Sequence, residues 1–445
     1  MKFKPYPEYK DSGVKWIGEI PQNWKMRRLK YNCSVNPPGK KSLSDPNAKV
    51  NFLPMEKVSE EGDYDLESKT EYENVSSGYT YFEDNDVLLA KITPCFENGK
   101  GALVENLKYG FGFGTTEFHI LRNGTEMYPK YLYFLTKSHL FRVIGEAFME
   151  GAAGQKRVST DFVKNFPMPT PSMAEQKLIV NYLEKKTSEI DLTIEKDTRL
   201  IELLKEKRTA LINHVVTKGL DPTVKMKDSG VEWIGEIPED WNARKLKFFV
   251  SKIGSGITPK GGASVYVEEG IALLRSQNIH FDGLRLKNVS YITEETNKTM
   301  LNSVVKNKDV LLNITGASIG RCTYFENQVD RANVNQHVCI IRPKTIFHRF
   351  LNYVLMSNIG QDQIFSTQMG SSREGVNFEQ IGNFVITYPP YEEQEAIANY
   401  LDKSTQKIDL TIQKIQEKIN FLEEYKKSLI HHVVTGKVDV REVAV

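Results

Sequence analysis

The sequence predicts an α+β protein: two α/β domains of one fold, joined by two long helices that form an antiparallel coiled coil. The whole is built as a pseudo-twofold internal repeat. Three observations carry that prediction. First, residues 10–30 read KDSGVKWIGEIPQNWKMRRLK and residues 227–247 read KDSGVEWIGEIPEDWNARKLK, with 15 of 21 positions identical at an offset of 217. Second, residues 175–217 begin EQKLIVNYLEKKTSEIDLTIEK and end ALINHVVT, while residues 393–435 begin EQEAIANYLDKSTQKIDLTIQK and end SLIHHVVT. Third, residues 31–170 and 248–388, which lie between these paired blocks, show little similarity to each other. Repetition at a fixed spacing sets the architecture before any local reading does. Like frames around unlike inserts indicate one scaffold that presents two different surfaces.

In chain order, residues 1–30 form a lead-in segment and 31–170 a first domain. A helix follows over 171–219, then a linker and second lead-in over 220–247. The second domain occupies 248–388, the second helix 389–436 and a tail 437–445. The lead-in carries Gly18 and Pro21 around aromatic anchors, the pattern of a turn-rich docking piece. All four tryptophans lie in the two lead-ins: Trp16, Trp24, Trp233 and Trp241. Large aromatics of this kind are expected to pack against the neighbouring domain.

The first domain contains three short apolar runs consistent with strands, at 50–58, 86–92 and 116–122. Gly99, Gly101, Gly110, Gly112 and Gly114 are expected to punctuate the turns between them. Tyr131, Phe134, Leu135, Phe141, Val143 and Ile144 predict one helix over 129–148. The second domain repeats the style with strands at 271–279, 309–315 and 337–343 and a helix near 347–364. Faint anchors relate the two: Asp86-Val87-Leu88-Leu89 matches Asp309-Val310-Leu311-Leu312, and 154–168 occupies the place of 371–386. One fold with different loops is the expectation.

Prolines at 167–171 and 389–390 break the chain before each long helix. In the first helix Ile179, Leu183, Ile190, Ile194, Ile201, Leu204, Leu211 and Val215 form an aliphatic seam. The matching places in the second helix are aliphatic too: Ile397, Leu401, Ile408, Ile412, Ile419, Leu422, Leu429 and Val433. Spacings of three-plus-four and seven, flanked by charge, predict coiled-coil packing. About 43 residues at 1.5 Å each make a rod of roughly 65 Å. Antiparallel packing about a pseudo-twofold axis, with one domain at each end, is the simplest arrangement.

At 445 residues the chain is long enough for two or more domains with cores of their own. With 40% hydrophobic and 26% charged residues it has the composition of an ordinary globular protein. The net charge of +2 argues neither for nor against a nucleic-acid partner; only local charge would matter. Cys33, Cys95, Cys322 and Cys339 form neither a CxxC pair nor a Cys/His cluster, so no zinc site is expected. Sparse cysteine suits the cytoplasm. The N-terminus has no apolar secretory core. No apolar run approaches the roughly 20 residues that span a bilayer, so no membrane partner is expected.

Catalytic motifs are degraded. Asn36-Pro37-Pro38-Gly39 resembles the Asn-Pro-Pro-aromatic loop of amino-methyltransferases, yet the residue that should stack on a flipped base is Gly39. Pro389-Pro390-Tyr391 has the aromatic but is preceded by Tyr388. GFGFG at 110–114 looks like a cofactor loop without the strand, turn, helix and downstream acid such a loop needs. Asn98-Gly99-Lys100-Gly101 is not a phosphate loop, lacking the upstream glycine and the Ser/Thr. His214, His431 and His432 sit at the helix ends as surface or packing residues. No catalytic, cofactor-binding or metal-ligating residue is therefore assigned. A standalone methyltransferase or fused restriction enzyme is the alternative, and a coiled-coil adaptor without a DNA role the third reading.

What remains is a set of polar loops beside short strands. In the first domain these carry Lys91, Thr93, Asn98, Lys100, Thr115, Thr116, Gln155, Lys156 and Arg157. In the second they carry Arg275, Gln277, Asn278, Thr315, Ser318, Arg321, Asn335, Gln336, Ser371 and Arg373. Arg, Lys, Asn and Gln read purine edges in the major groove, and Lys and Arg pair with phosphates. These residues are the candidate DNA contacts.

The repeated DSGV-x-WIGEIP-x-x-W segment and the EQ-x-x-I-x-NYL-x-x-x-T-x-x-ID-x-x-I helix resemble the specificity subunits of Type I restriction-modification enzymes. LRSQNI (274–279) and NVNQHVCIIRP (333–343) are similar to parts of that family's target recognition domains. The resemblance implies a non-catalytic subunit whose two target recognition domains read double-stranded DNA and whose helices act as a ruler. It also implies two modification subunits that use S-adenosylmethionine, and restriction subunits that use ATP and Mg2+. The first domain has GTTEFHILR (114–122) where the second has Asn335-Gln336-His337, so the two half-sites are expected to differ.

Overall fold

The computed structural model describes residues 4–152, 154–367 and 375–442. The chain divides into two units, Met1–Thr198 with Gln416–Val445, and Arg199–Ile415. Each long helix therefore contributes to both units.

In the first unit, strands Cys33–Val35, Phe118–Asn123, Asp86–Ala90 and Gly101–Leu103 lie in that order in one antiparallel sheet. A second sheet is ordered Lys69–Glu71, Lys49–Leu53, Phe111–Gly114 and Thr80–Glu83, with Lys49–Leu53 parallel to Phe111–Gly114. The second unit repeats both. One sheet is ordered Val250–Ser255, Val338–Pro343, Val310–Asn313 and Cys322–Tyr324. The other has three strands, Ser290–Ile292, Ile271–Leu274 and Ala332–Val334, of which the last two are parallel, as Lys49–Leu53 and Phe111–Gly114 are. Strands Asp86–Ala90 and Val310–Asn313 are buried throughout. That explains why both read as unbroken apolar runs rather than alternating ones.

The shared Asp-Val-Leu-Leu anchor has a physical reason. Asp86 and Asp309 are wholly buried at these strands. Each accepts a backbone N–H from the preceding turn, Glu83 N and Lys306 N, both at 2.7 Å. Each is also gripped by an arginine of the adjacent strand, Arg122 and Arg342. Burial still pushes the Asp86 carboxyl above its ordinary range, with Arg122 opposing the shift.

Some local expectations need correction. Gly101, Gly112 and Gly114 are strand residues, not turn residues. A Cβ on Gly114 would stand 2.7 Å from Leu53 O, so the parallel strands approach too closely for a side chain there. The single helix expected over 129–148 is two, Pro129–Lys137 and His139–Ala147. Ser138 breaks it, its hydroxyl accepting Phe141 N at 3.4 Å as an N-cap. Likewise 347–364 is two helices, His348–Met356 and Asn358–Ser366. Only the second tryptophan of each lead-in is core: Trp24 and Trp241 are fully buried, whereas Trp16 and Trp233 are 37% and 58% exposed.

The long helices run Met173–Lys218 and Tyr391–Val434. In the first unit Lys426 pairs with Asp191 at 2.7 Å and Lys418 with Asp197 at 2.8 Å, so the two helical segments there are antiparallel. In the second unit Arg208 Nε bonds Asp409 at 3.0 Å, and Gly219 approaches Glu393, the same sense of pairing. Ile179, Leu183, Ile190, Ile201, Val215, Ile397, Leu401, Ile408, Ile419, Leu429 and Val433 are buried. Ile194, Leu204, Leu211, Ile412 and Leu422 are half-buried. Off-seam Leu192, Leu200, Leu203, Leu410 and Phe421 are exposed.

The repeated Glu-Gln at each helix start is a clasp. Gln176 Oε1 accepts Tyr128 N at 2.8 Å while its Nε2 donates to Pro171 O at 3.0 Å. Gln394 does the same with Phe347 N and Pro389 O, at 2.7 and 2.8 Å. Both glutamines are fully buried. Each ties the long helix to the chain entering the short helix of its own domain.

Candidate nucleic-acid interface

In the first unit the polar loops meet at one end of the two sheets. Lys91 N donates to Glu117 O (2.9 Å), Thr93 N to Lys156 O (2.9 Å), Val158 N to Lys91 O (2.8 Å) and Thr115 N to Leu53 O (3.3 Å). Ala90 N donates to Lys100 O (3.2 Å). These bonds gather the loops that carry the first domain's candidates. Their side chains differ in freedom. Arg157 is held by Glu117 through two bonds, 2.9 and 2.8 Å, and that guanidinium lowers the Glu117 carboxyl below its usual range. Asn98 donates to Glu60 (2.8 Å) and Lys100 to Met55 O (3.4 Å). Thr93 Oγ1 donates to Lys156 O at 3.3 Å. Thr116, Gln155 and Lys156 are exposed and Lys91 half-buried.

Sequence reasoning missed the support beneath this surface. Arg142 is buried and donates to Thr136 O (2.7 Å), Phe96 O (2.9 Å) and Gly99 O (3.3 Å), holding the loop that carries Asn98 and Lys100. Burial pushes its guanidinium down to about 9. Nothing in the local pattern separates it from an ordinary helix-surface arginine.

In the second unit the corresponding ends converge in the same way. Asn335 N donates to Leu274 O (3.2 Å), Ile314 N to His337 O (3.0 Å) and Gly256 N to Asn335 O (3.1 Å). Arg275, Gln277, Asn278, Thr315, Ser318, Arg321, Asn335 and Gln336 lie on these loops; Ser371 and Arg373 lie outside the described residues. Asn278 does not face solvent: it is 1% exposed, accepts Arg275 N (2.9 Å) and donates to Arg285 O (2.8 Å). It shapes the loop and is no candidate for a base contact. Ser318 accepts from Asn313 Nδ2 (3.1 Å), Asn335 Oδ1 accepts His337 N (3.1 Å), and Arg275 stacks over Tyr266 at 5.4 Å. Gln277 and Gln336 are exposed, Arg321 and Thr315 half-buried. His337 and Thr258, which contact Thr315 and Gln336, stand outside the set of candidate contacts, although His337 belongs to the Asn335-Gln336-His337 stretch.

The catalytic look-alikes are structural. Asn36 Oδ1 accepts Ile120 N (2.9 Å) and its Nδ2 contacts His119 Nδ1 (3.1 Å), so the Asn-Pro-Pro segment anchors a strand edge. Of the GFGFG stretch, Phe111–Gly114 is a buried strand and Gly110 the turn before it. His214 and His432 are exposed, and His431 is half-buried. Among the described residues no group of three His, Cys, Asp or Glu side chains could hold a metal, and no helix is long and apolar enough to cross a membrane.

The same scaffold, with a polar loop surface at matching strand ends, is thus carried twice. The chain belongs to the family of Type I restriction modification DNA specificity domains, whose model matches it twice, over residues 21–204 and 238–420. It is 40% identical over 182 residues to the Type I restriction enzyme EcoAI specificity subunit of Escherichia coli, covering 40% of this chain and 30% of that one. It is 27% identical over 295 residues to the Type I restriction enzyme MjaVIII specificity subunit of Methanocaldococcus jannaschii, covering 65% and 66%. These matches span less than two thirds of either relative. In fold it resembles a chain from a structure on complex assembly and conformational transition of the type I R-M system. The TM-score is 0.75 at 17% identity, covering 94% of this chain and 99% of that one.

Proposed function

We propose that this chain is the non-catalytic specificity subunit of a Type I restriction-modification complex. Each domain reads one half of a bipartite, asymmetric site in duplex DNA, residues 31–170 the first and 248–388 the second. The helix pair sets the gap and docks two modification subunits. Methyl transfer from S-adenosylmethionine, and cleavage using ATP and Mg2+, belong to the modification and restriction subunits, and the assembly works in the cytoplasm.

The observation that carries this reading is that the strands common to the two domains keep one order and pairing sense but carry unlike side chains at the same place. The turn between the parallel-pair strand and the next strand holds Thr116 and Glu117 in the first domain and Gln336 and His337 in the second. A shared frame with different hydrogen-bonding tips supports two readers of different sequence. The family match over both repeats supports the same reading.

The test is to sequence methylated adenines in a host that carries this chain together with its modification subunit. The expected result is a gapped motif with two unlike halves. Methylation by the purified chain alone, or an ungapped motif, would overturn the proposal.

A further inference from the structure

At the tip of the turn between Ala332–Val334 and Val338–Pro343, the side chain of Gln336 is exposed yet held at both ends. Thr258 Oγ1 donates to its Oε1 at 2.5 Å. Its Nε2 lies 2.9 Å from Nε2 of His337, whose Nδ1 lies 2.5 Å from Thr315 Oγ1. An amide nitrogen only donates. His337 Nε2 therefore accepts, its ring proton sits on Nδ1, and that proton is donated to Thr315.

The backbone brings these partners together. Asn335 Oδ1 accepts His337 N and Asn335 O accepts Val338 N at 3.3 Å, which closes the turn under Gln336. Gly256 lets the Thr258 loop lie against it: a Cβ there would stand 1.6 Å from Val334 O.

Each end of the Gln336 amide keeps one unused valence. One N–H and one oxygen lone pair remain for a ligand. Exchanging the amide oxygen and nitrogen leaves the same pair, because His337 Nε2–H would then donate to the oxygen and Thr258 Oγ1 accept from the nitrogen. Either way the exposed edge offers one donor beside one acceptor in a plane. In the major groove only adenine presents the matching pair on one base, an N7 acceptor beside an N6–H donor. Guanine presents two acceptors, cytosine a donor and thymine an acceptor. A side chain already fixed by its neighbours also loses less rotamer freedom on binding.

We propose that Gln336 reads one adenine in the half-site of the second domain, with Thr258 and His337 as positioning residues that hold its amide. This rests on the DNA-reading function proposed above. Asn278 cannot play the part, because it is 1% exposed and its amide is turned to backbone groups inside the fold.

The test uses the full chain assembled with its modification subunits, on duplexes carrying its mapped methylation motif. Each adenine is replaced in turn by 7-deazaadenine, which lacks the N7 acceptor. Wild-type affinity is expected to fall about 10-fold or more at one adenine of one half-site. Gln336→Ala should weaken binding to the natural duplex by a similar factor and become indifferent to 7-deazaadenine at that adenine alone. His337→Phe should blunt the same discrimination, and His337→Gln, which restores an acceptor, should recover part of it. Equal loss by Gln336→Ala on specific and random duplexes overturns the adenine assignment and makes the residue a backbone contact. So does a wild-type complex that prefers its site but responds to no single 7-deazaadenine. A wild-type complex with no preference for any mapped site overturns the proposed function instead. The base-analogue series on the wild type needs no altered protein, so a folding defect in a variant cannot blur the result.

Discussion

Arg342 closes a two-pronged ion pair on the wholly buried carboxylate of Asp309, Nε to Oδ1 and Nη2 to Oδ2, both at 2.7 Å. Removing the arginine alone leaves a buried charge without its counter-charge. Arg342→Met is therefore expected to destabilise the second domain by about 3 kcal/mol, the low end for breaking a buried pair. The low end applies because the arginine is partly exposed. Adding Asp309→Asn should return part of the loss. Urea unfolding of the full chain measures both; a loss below about 1 kcal/mol would show that the pair contributes little.

Gln394→Ala is expected to detach the second long helix from its domain. The substitution strands Phe347 N and Pro389 O in a dry environment. Each unsatisfied group costs about 1–3 kcal/mol. Gln176→Ala should act alike through Tyr128 N and Pro171 O. Amide hydrogen exchange at Phe347 and Tyr128 reads the effect, and unchanged protection there would contradict it.

Acid should loosen the first unit through His431. Burial, with help from His432, His139 and Lys437, lowers its imidazole from about 6.5 to about 4. A histidine held neutral on folding stabilises fully above its unfolded pKa. That contribution is lost as pH falls from about 6.5 towards 4. His431→Gln should flatten the fall in stability across this window relative to wild type. Parallel pH curves for the two proteins would exclude the histidine as the cause.

Replacing residues 248–388 with the corresponding region of another family member is expected to change one half of the methylated motif and leave the other intact. Methylation mapping decides it. A change in both halves would mean that the domains do not read independently.

Inserting four residues between Glu195 and Thr198 should change the gap in the motif while both halves persist. The insertion adds about 6 Å along the helix and turns the downstream seam by about 40°. It falls between Asp191, paired with Lys426, and Ile201, the next buried seam position after half-buried Ile194, so some stability should be lost as well. An unchanged gap in the methylation map would assign the spacing to the partner subunits.

Much of the architecture was legible because its signals are local or repeated. Ile179 to Val215 repeat the helical period whatever lies opposite them, and the Asp-Val-Leu-Leu runs are apolar throughout because strands buried on both faces need no alternation. The helix breaks at Ser138 and Ser357 were not legible. One apolar stripe continues across each break, while the serines that interrupt it read as ordinary helix residues. Gly112 and Gly114 of GFGFG misled for a related reason: their small size serves close strand approach at Asn51 O and Leu53 O, and the same letter serves a turn at Gly110.

The sequence by itself determined that the protein is a duplication, that each half ends in a long amphipathic helix, and which family it joins. These follow from periodicity and identity along the chain. Only the tertiary structure decided which polar residues share a surface and which are scaffolding. Asn278 and Gln336 look alike as letters in a loop, yet one is closed off by Arg275 N and Arg285 O and the other stands open between Thr258 and His337. That difference comes from backbone bonds between segments far apart in the chain, Asn335 N to Leu274 O and Gly256 N to Asn335 O. Burial and hydrogen-bond satisfaction are set by what arrives from elsewhere in the chain, and no local pattern encodes that.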